Sequence, residues 1–253
     1  MLFDFDLRQR GGRRPPEPAS ITAARFLTPG VRRLTLGGDA VRSMLASTAI
    51  RPTAWLKVFA PGREGRAYTI RKVSRAAGTL DIDVVLHGGD HDDGTVAAWA
   101  RHASAGTDLQ IGGVRSGSFA LLPDTRWIWI GADAAALPAA QTILEQLPAH
   151  VTAYANLHVA DARERQPIDT RADLHQTWRY LSDSPLRPAH GIPATMQHEP
   201  GQVWIAGETT WAKREYAHLQ ATCRIDEARS SVRSYWKAGE PNHRDRAGHG
   251  HQR

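Results

Sequence analysis

The sequence predicts a β-barrel plus α/β protein, in which an N-terminal antiparallel barrel precedes a C-terminal domain with a parallel sheet. In the first half, short alternating or β-branched runs are separated by Pro-Gly and Gly-rich turns, which is typical of a small antiparallel barrel. In the second half, continuous apolar runs alternate with segments of helical periodicity. That alternation is typical of a doubly wound sheet.

The barrel domain is predicted to span residues 20–123. We expect its strands at 31–36, 54–59, 67–70, 80–86 and 108–111, and one helix at 95–102. Residues 1–19 mix Gly, Pro and Arg without a sustained apolar period. We therefore expect the N-terminal segment to be flexible.

The α/β domain is predicted to span residues 124–240, after the Pro123-Asp124 boundary. We expect its strands at 126–131, 151–159, 174–181, 202–207 and 231–236, and its helices at 138–147 and 209–223. Residues 241–253 are polar and rich in histidine, so a flexible tail is expected there.

Composition excludes several classes of protein. The 253 residues include 41% hydrophobic and 23% charged residues, close to the averages of globular proteins. A single cysteine, Cys223, excludes an internal disulfide and a cysteine-cluster metal site. No apolar run approaches the ~18 residues of a membrane span, and the N-terminus does not read as a signal peptide. We therefore expect a cytoplasmic monomer without membrane insertion or a metal site.

One segment of the barrel carries residues suited to a flavin, namely Arg66-Ala67-Tyr68-Thr69-Ile70-Arg71. Two guanidinium groups can hold a pyrophosphate, a tyrosine ring can lie against a flavin ring, and a threonine can hydrogen-bond a flavin nitrogen. On a strand, Arg66 and Tyr68 face one way while Thr69 and Arg71 face the other, so a local bend is needed if both sets contribute. The alternative is that the two arginines lie on a solvent-exposed strand surface and bind no ligand.

The motifs together resemble the siderophore-interacting proteins, FAD-dependent ferric-siderophore reductases with a ferredoxin-reductase-like fold. The flavin motif of that family reads Arg-x-Tyr-Thr/Ser-x-Arg and is followed by an acidic and apolar strand that ends in His-Gly, here residues 81–88. The similarity extends through segments in the same order at 99–100, 105–108, 111–113, 132–139, 206–208 and 234–237. It covers about residues 20–240.

The resemblance implies two sets of cofactor residues. FAD would be bound by Arg66, Tyr68, Thr69, Arg71, His87, Gly88, Gly94, Thr95, Val96 and Ala97, the last four presenting backbone N–H groups to the pyrophosphate. NAD(P)H would be bound by Asp133, Ala136, Leu137, Gly207 and Glu208, at the carboxyl ends of parallel strands. For Asp133 and Glu208, a helix N-cap is an equally good interpretation.

The nucleotide loop departs from the family pattern. Family members usually have Glu and Thr where this chain has Ala134 and Ala135, which puts nicotinamide use in doubt. Arginines at the ends of strands weakly favour NADPH over NADH, namely Arg163, Arg165 and Arg179. A ferredoxin or another protein donor is the alternative.

The resemblance also implies an anionic ferric siderophore as substrate, steered by the separated cations Lys57, Arg115 and Lys237. Isolated surface cations that only aid solubility are an equally good interpretation of Lys57 and Lys237. The sequence therefore predicts electron transfer from NAD(P)H through FAD to a ferric chelate. A non-catalytic protein that binds siderophore or flavin is a second alternative. A nucleic-acid binder ranks last, because the net charge of +6 is spread along the chain and no matching motif is present.

Overall fold

Six strands form a closed antiparallel barrel in the computed structural model, which describes residues 15–86, 94–117, 119–181 and 192–240. These strands are β1 (Glu17–Thr28), β2 (Val31–Gly37), β3 (Trp55–Phe59), β4 (Arg66–Ser74), β5 (Thr79–Val85) and β6 (Asp108–Ile111). They follow one another around the barrel in the order β1-β2-β5-β4-β3-β6. The predicted antiparallel barrel is thus confirmed.

The barrel core is built by alternation along each strand. Leu34 and Leu36 of β2 lie opposite Ile82 and Leu80 of β5, and all four side chains are buried. Their neighbours in the sequence face outward or pair with charged residues, as a strand with one buried face requires. Burial of the apolar side chains is therefore the main force that closes the barrel.

Two elements of the barrel were not expected from the sequence. Strand β1 begins at Glu17, inside the segment predicted to be flexible, because residues 17–20 pair with β6. Helix α1 (Asp39–Ser47) has a weak sequence signal, since only Val41 and Leu45 are buried and no side chain caps its N-terminus. Helix α2 (Val96–His102) lies where the sequence predicts it.

The second unit is a sheet of five parallel strands, counted over the described residues. The strands are β7 (Trp127–Asp133), β8 (Thr152–Val159), β9 (Asp173–Tyr180), β10 (Gly201–Glu208) and β11 (Ser230–Trp236). Helix α3 (Leu137–Leu144) follows β7, and helix α4 (Thr209–Thr222) follows β10. The predicted parallel sheet is confirmed.

The strand order β11-β10-β7-β8-β9 decides where a ligand can bind. The chain passes from β7 outward to β9 and then returns to β10 on the other side of β7. In open α/β sheets, the carboxyl ends of the strands at such a reversal form the ligand crevice. The loops after β7 and β10 lie at this reversal.

Helix α3 is buried along its whole length, unlike the amphipathic helices usual at a protein surface. It packs on β7 of its own sheet and on β4 of the barrel. This helix therefore lies at the interface between the two units. None of the described helices is long and apolar enough to cross a membrane.

Candidate functional site

The strand β4 presents its motif residues on two faces. Tyr68 lies opposite Leu56, which is fully buried in the barrel core, whereas Thr69 lies opposite Trp55. The alternation of side chains therefore places Arg66 and Tyr68 on the inner face at one end of the barrel and Thr69 on the outer face. The irregular pairing that bends β4 lies between Ile70 and Lys72, after this group, so it does not merge the two sets.

Tyr68 is a partly exposed aromatic ring that packs against the barrel core. Burial raises the pKa of its hydroxyl above the ordinary value, while the nearby Arg66 opposes that shift. The side chain is therefore a neutral ring beside a cation. Arg66 is also partly exposed, and its guanidinium lies 3.4 Å from the carboxylate of the exposed Glu64.

Arg71 lies in different surroundings from Arg66. Its Nε donates to Gln141 Oε1 at 2.9 Å, and its two terminal nitrogens donate to the carboxylate of Glu145 at 2.8 and 2.5 Å. Its side chain is 4% exposed. The structure therefore engages this guanidinium with α3 and the segment that follows it, and it does not bring the two arginines of the motif together.

The start of α2 is capped by a side chain. Thr95 caps the helix by accepting the N–H of Ala98 at 3.1 Å. The preceding residue, Gly94, has a φ of 77°, a backbone conformation that favours glycine. Val96 and Ala97 are buried. The predicted flavin residues His87 and Gly88 lie outside the described residues.

Arg63 is a candidate that the sequence analysis missed. Its Nη1 donates to the carbonyl of Thr95 at 3.2 Å, which holds a cation beside the first turn of α2. The signal available in the sequence was a second arginine three residues before Arg66, within a Pro-Gly turn. Arg63 is therefore a second partly exposed cation near the flavin motif, three residues before Arg66.

The outer face of the barrel carries two of the three predicted substrate cations. Trp55 pairs with Arg115 through two backbone hydrogen bonds of 3.1 and 2.8 Å, which places Arg115 beside β3. Lys57 lies two residues from Trp55 on the same face. Thr69, opposite Trp55, shares this face and is hydrogen-bonded to the hydroxyl of Tyr235 in β11. The face that carries these cations therefore meets the α/β domain.

The third predicted cation, Lys237, follows β11 and is ion-paired with Glu240. It lies two residues after Tyr235, and thus near the contact between β11 and Thr69. Burial raises the pKa of Tyr235, an effect that Asp133 reinforces and that Arg233 and Thr69 oppose. The Tyr235 hydroxyl is therefore neutral where the two domains meet.

The loop after β7 is organised around one carboxylate. Asp133 Oδ1 accepts the N–H of Ala136 at 3.0 Å, and Oδ2 accepts the N–H of Glu208 at 2.8 Å and the indole N–H of Trp236 at 2.7 Å. A further backbone bond comes from Ala135. Burial raises the pKa of Asp133, and these four donors oppose that shift.

Asp133 therefore occupies the anion-attracting N-terminal end of α3. The N-terminus of a helix attracts anions through its unpaired N–H groups. Here Ala135 and Ala136, which precede α3, donate to the Asp133 carboxylate, and Pro138 in the first turn has no N–H. Leu137 is the first residue of α3 and directly follows Ala136.

Gly207 makes this arrangement possible. A Cβ at this position would lie 2.6 Å from Cγ and 2.7 Å from Oδ2 of Asp133, and the residue has a φ of 152°. Only glycine allows so close an approach in this conformation. Gly207, which the sequence predicts to contact the nucleotide, is therefore also required for the close packing of this loop against Asp133.

Glu208 is the N-cap of α4. One of its carboxylate oxygens accepts the N–H groups of Thr210 and Trp211 at 2.7 and 2.8 Å. Burial alone would raise its pKa, but the backbone N–H bonds from Trp211 and Thr210 outweigh burial and lower it. The helix-cap interpretation of Glu208 is confirmed by this geometry.

A second group of buried polar side chains lies on the α4 side of the sheet. His158 of β8 packs its ring 4.8 Å from that of Trp211, and burial followed by the charge of Arg179 lowers its pKa to about 4. His158 Nε2, Asn156 Oδ1 and Glu215 Oε2 are buried without a hydrogen-bond partner in the described part of the chain. No group of three or more possible metal ligands occurs among the described residues.

Sequence comparison matches both domains to one family. Residues 62–117 match the siderophore-interacting FAD-binding domain, and residues 125–239 match the siderophore-interacting protein domain. The two matches together cover more than half of the chain. The protein belongs to the siderophore-interacting protein family. Within this family, its barrel corresponds to the FAD-binding domain.

Individual siderophore-interacting relatives agree with this assignment. The ferric vibriobactin reductase ViuB of Vibrio cholerae is 28% identical over 181 residues, 69% of this chain and 65% of that protein. A siderophore utilization protein from T. fusca superimposes with a TM-score of 0.71 at 23% identity, covering 91% of this chain and 95% of the other. This chain thus spans about two thirds of the length of its curated relative.

The fold extends to flavin enzymes outside the family. The flavohem-like FAD/NAD-binding domain of a nitric oxide dioxygenase from Vibrio cholerae superimposes with a TM-score of 0.65 at 16% identity. The match covers 90% of this chain and the whole of that domain. The siderophore-interacting protein described here therefore has the predicted ferredoxin-reductase-like fold.

Proposed function

We propose that this protein is an FAD-dependent reductase of ferric siderophores. The observation that carries the proposal is the placement of the flavin motif. Arg66 and Tyr68 lie on the inner face at one end of the FAD-binding barrel, and Thr69 lies on the outer face beside Lys57 and Arg115. A cofactor that spans these two positions would meet both an electron donor and an anionic acceptor.

The described residues fit the chemistry of FAD. Arg66 would hold the pyrophosphate together with Arg63, which lies beside the first turn of α2. Tyr68 would contribute its neutral ring and Thr69 a hydroxyl to the flavin rings. FAD when bound accepts a hydride and passes on single electrons, so the protein contributes binding and orientation rather than acid–base catalysis.

The substrate would be an iron chelate that carries negative charge. Lys57, Arg115 and Lys237 are separated cations near the face where the barrel meets β11, an arrangement that attracts an anion without enclosing it. The name of the relative ViuB, a ferric vibriobactin reductase, supports a siderophore as the carrier of the iron. Ferric iron enters within its chelate as substrate, and the chelator holds the ferrous product less tightly.

For the electron donor we propose NAD(P)H, seated at the carboxyl ends of β7 and β10. The reversal of strand order between these strands supports this location. Leu137 and Gly207 would contribute backbone contacts, whereas the N–H of Ala136 already donates to Asp133, and Asp133 and Glu208 are engaged by the protein's own amides. Arg163 is held by Asp161 at 2.7 Å, and Arg165 lies over the ring of Tyr180, so neither adds strong support for NADPH over NADH.

One observation favours a second candidate, a reductase that takes electrons from ferredoxin or another protein. The carboxylate of Asp133 uses the amides that would otherwise hold a dinucleotide phosphate. A negative charge there also repels that phosphate. Ferredoxin or another protein donor carries no such phosphate and would not need a free helix N-terminus to bind.

The visible spectrum of the purified protein under anaerobic conditions tests both proposals. We expect the protein to bind added FAD, to lose the flavin band with NADPH or NADH, and to recover it when ferric vibriobactin is added with a ferrous-iron trap. Failure to bind FAD would overturn the reductase proposal. Binding without bleaching by either nicotinamide, followed by bleaching with reduced ferredoxin, would select the protein donor. FAD binding with no iron reduction from any donor would indicate a non-catalytic binding protein.

A further inference from the structure

The second arginine of the flavin motif connects the two domains. Arg71 of β4 donates three hydrogen bonds to Gln141 and Glu145, at 2.9, 2.8 and 2.5 Å. Its side chain is 4% exposed, and Asp83 in the barrel lies 3.9 Å from its Nε. All three nitrogens of the guanidinium are thus engaged, which leaves no open edge of the fork for a phosphate.

The partner of Arg71 stands at an unusual place on its helix. Glu145 is the C-cap of α3, where the exposed carbonyl groups disfavour a negative side chain. The bidentate cation from β4 compensates this cost. The acid at this end of α3 is therefore explained by its contact with the barrel rather than by the helix itself.

Neighbouring residues of α3 reach the barrel in the same way. Thr142 Oγ1 accepts the N–H of Thr53 at 2.9 Å, and both side chains are buried. Thr53 adopts the left-handed conformation with φ of 62°, which is uncommon for threonine. Gln141, Thr142 and Glu145 thus form a polar stripe on α3, and each of its members bonds the barrel.

The polar stripe joins the two candidate cofactor regions through rigid elements. Arg71 lies two residues after Thr69 on β4, the strand of the flavin motif. Helix α3, which Arg71 contacts, begins directly after the Asp133 loop at the carboxyl end of β7. A shift of α3 on the barrel would therefore move the β7 loop relative to the flavin strand.

We propose that Arg71 is a positioning residue, which fixes the α/β domain on the FAD-binding barrel through Glu145 and does not bind FAD. The inference rests on the proposed function for its catalytic consequence. Donor and acceptor must meet within a fraction of an ångström of the productive geometry, so a displacement of ~1 Å can slow transfer by about a hundredfold. The Arg71–Glu145 pair would set this distance, because it joins the flavin strand to the helix that follows the β7 loop.

The test compares Arg71→Lys and Glu145→Gln, alone and combined, with Arg66→Lys as the flavin-site control and Arg42→Lys, from an exposed ion pair on α1, as the surface control. FAD affinity is measured by fluorescence quenching. Hydrogen exchange of α3 is measured in the FAD-free protein, and kcat and KM are measured for ferric vibriobactin with the donor that the wild type uses.

We expect Arg71→Lys and Glu145→Gln to leave the Kd for FAD within about twofold and to increase exchange of α3 by about tenfold. Each should lower kcat by about tenfold at unchanged KM, and the double variant should be no worse than Arg71→Lys because the residues act as one pair. Arg66→Lys should weaken FAD binding without changing exchange of α3, and Arg42→Lys should change neither.

Weaker FAD binding in Arg71→Lys but not in Glu145→Gln would overturn the inference and make Arg71 a flavin ligand. Unchanged exchange of α3 would also overturn it, because the pair would then hold nothing in place. The exchange measurement needs neither flavin nor turnover. If the wild type binds no FAD or reduces no iron, the proposed function fails, and exchange in the FAD-free protein still decides whether Arg71 fixes α3.

Discussion

The two candidate cofactor regions use their charged groups in opposite ways. At the end of the barrel, Arg66 is partly exposed. At the carboxyl end of β7, Asp133 accepts four N–H groups of the protein itself. The charged group at the barrel end is therefore accessible, whereas the carboxylate at the end of β7 is satisfied internally. One fold can thus leave one candidate cofactor region open and close the other.

Among the variants, Gly207→Ala in the closed region around Asp133 should have the largest effect on stability. A Cβ would lie 2.6 Å from Cγ of Asp133 at a φ of 152°. Strain and overlap together should lower the free energy of unfolding by about 2–4 kcal/mol, measured by urea denaturation. Gly113→Ala is the control, since a Cβ there meets nothing within 4 Å, and it should change stability by less than about 0.5 kcal/mol. Equal effects would show that Asp133 is not tightly enclosed.

His158→Phe should change how the stability of the α/β domain depends on pH. The histidine is held neutral, with its pKa lowered from 6.5 to about 4 by burial and by Arg179. As the pH falls from 6.5 to about 4, this histidine takes up a proton in the unfolded chain but stays neutral in the folded protein. The free energy of unfolding therefore falls. This loss should reach about 3 kcal/mol in the wild type and be absent in the variant.

The comparison for His158 uses unfolding midpoints in urea at several pH values between 7 and 4. The exposed His175, which stacks on Tyr154, supplies the control His175→Phe, and its pH profile should follow the wild type. If His158→Phe retains the wild-type slope, the buried imidazole does not determine the acid sensitivity of this domain.

Arg66→Ala tests whether the barrel end binds FAD. Loss of a charge-assisted contact to a pyrophosphate should weaken FAD binding by about ten- to a hundredfold in a fluorescence titration. Arg25→Ala on the exposed part of β1 is the matched control and should leave the Kd unchanged. Equal affinity of the Arg66 variant and the wild type would remove the barrel end from the flavin site.

Trp236→Phe should give the smallest effect. It removes the 2.7 Å hydrogen bond to Asp133 and leaves an aromatic ring at an exposed position. We expect a loss of about 1 kcal/mol in the free energy of unfolding, measured by urea denaturation, because backbone donors still satisfy the carboxylate. A loss as large as that of Gly207→Ala would mean that the indole, and not the backbone, closes the loop.

Alternation along the strands was sufficient to predict the barrel and the faces of β4, and buried apolar runs between helical segments predicted the parallel sheet. The parity that separates Tyr68 from Thr69 is a property of any strand, so it follows from residue order alone. Strand β1 escaped prediction because its alanine-rich alternation is weak, and residues 17–20 gain their order from pairing with β6. Helix α1 escaped because it buries only two side chains.

The role of Arg71 depends on a partner 74 residues away and could not follow from the motif. The sequence did hold a signal, since Gln141, Thr142 and Glu145 are polar residues at helical spacing within an apolar run. For Asp133, the helix-end interpretation was available from the sequence. Its four donors come from three separate segments, and only the folded chain brings them together.

The central claim is that the barrel end transfers electrons to ferric siderophore whatever the donor. A single turnover tests it most directly: FAD-loaded protein is reduced by dithionite without oxygen, freed of excess reductant and mixed with ferric vibriobactin and a ferrous-iron trap. We expect the oxidised flavin spectrum to return with about two trapped Fe(II) per FAD, because FAD carries two electrons and each iron accepts one. A flavin that remains reduced, with no trapped iron, would contradict the account.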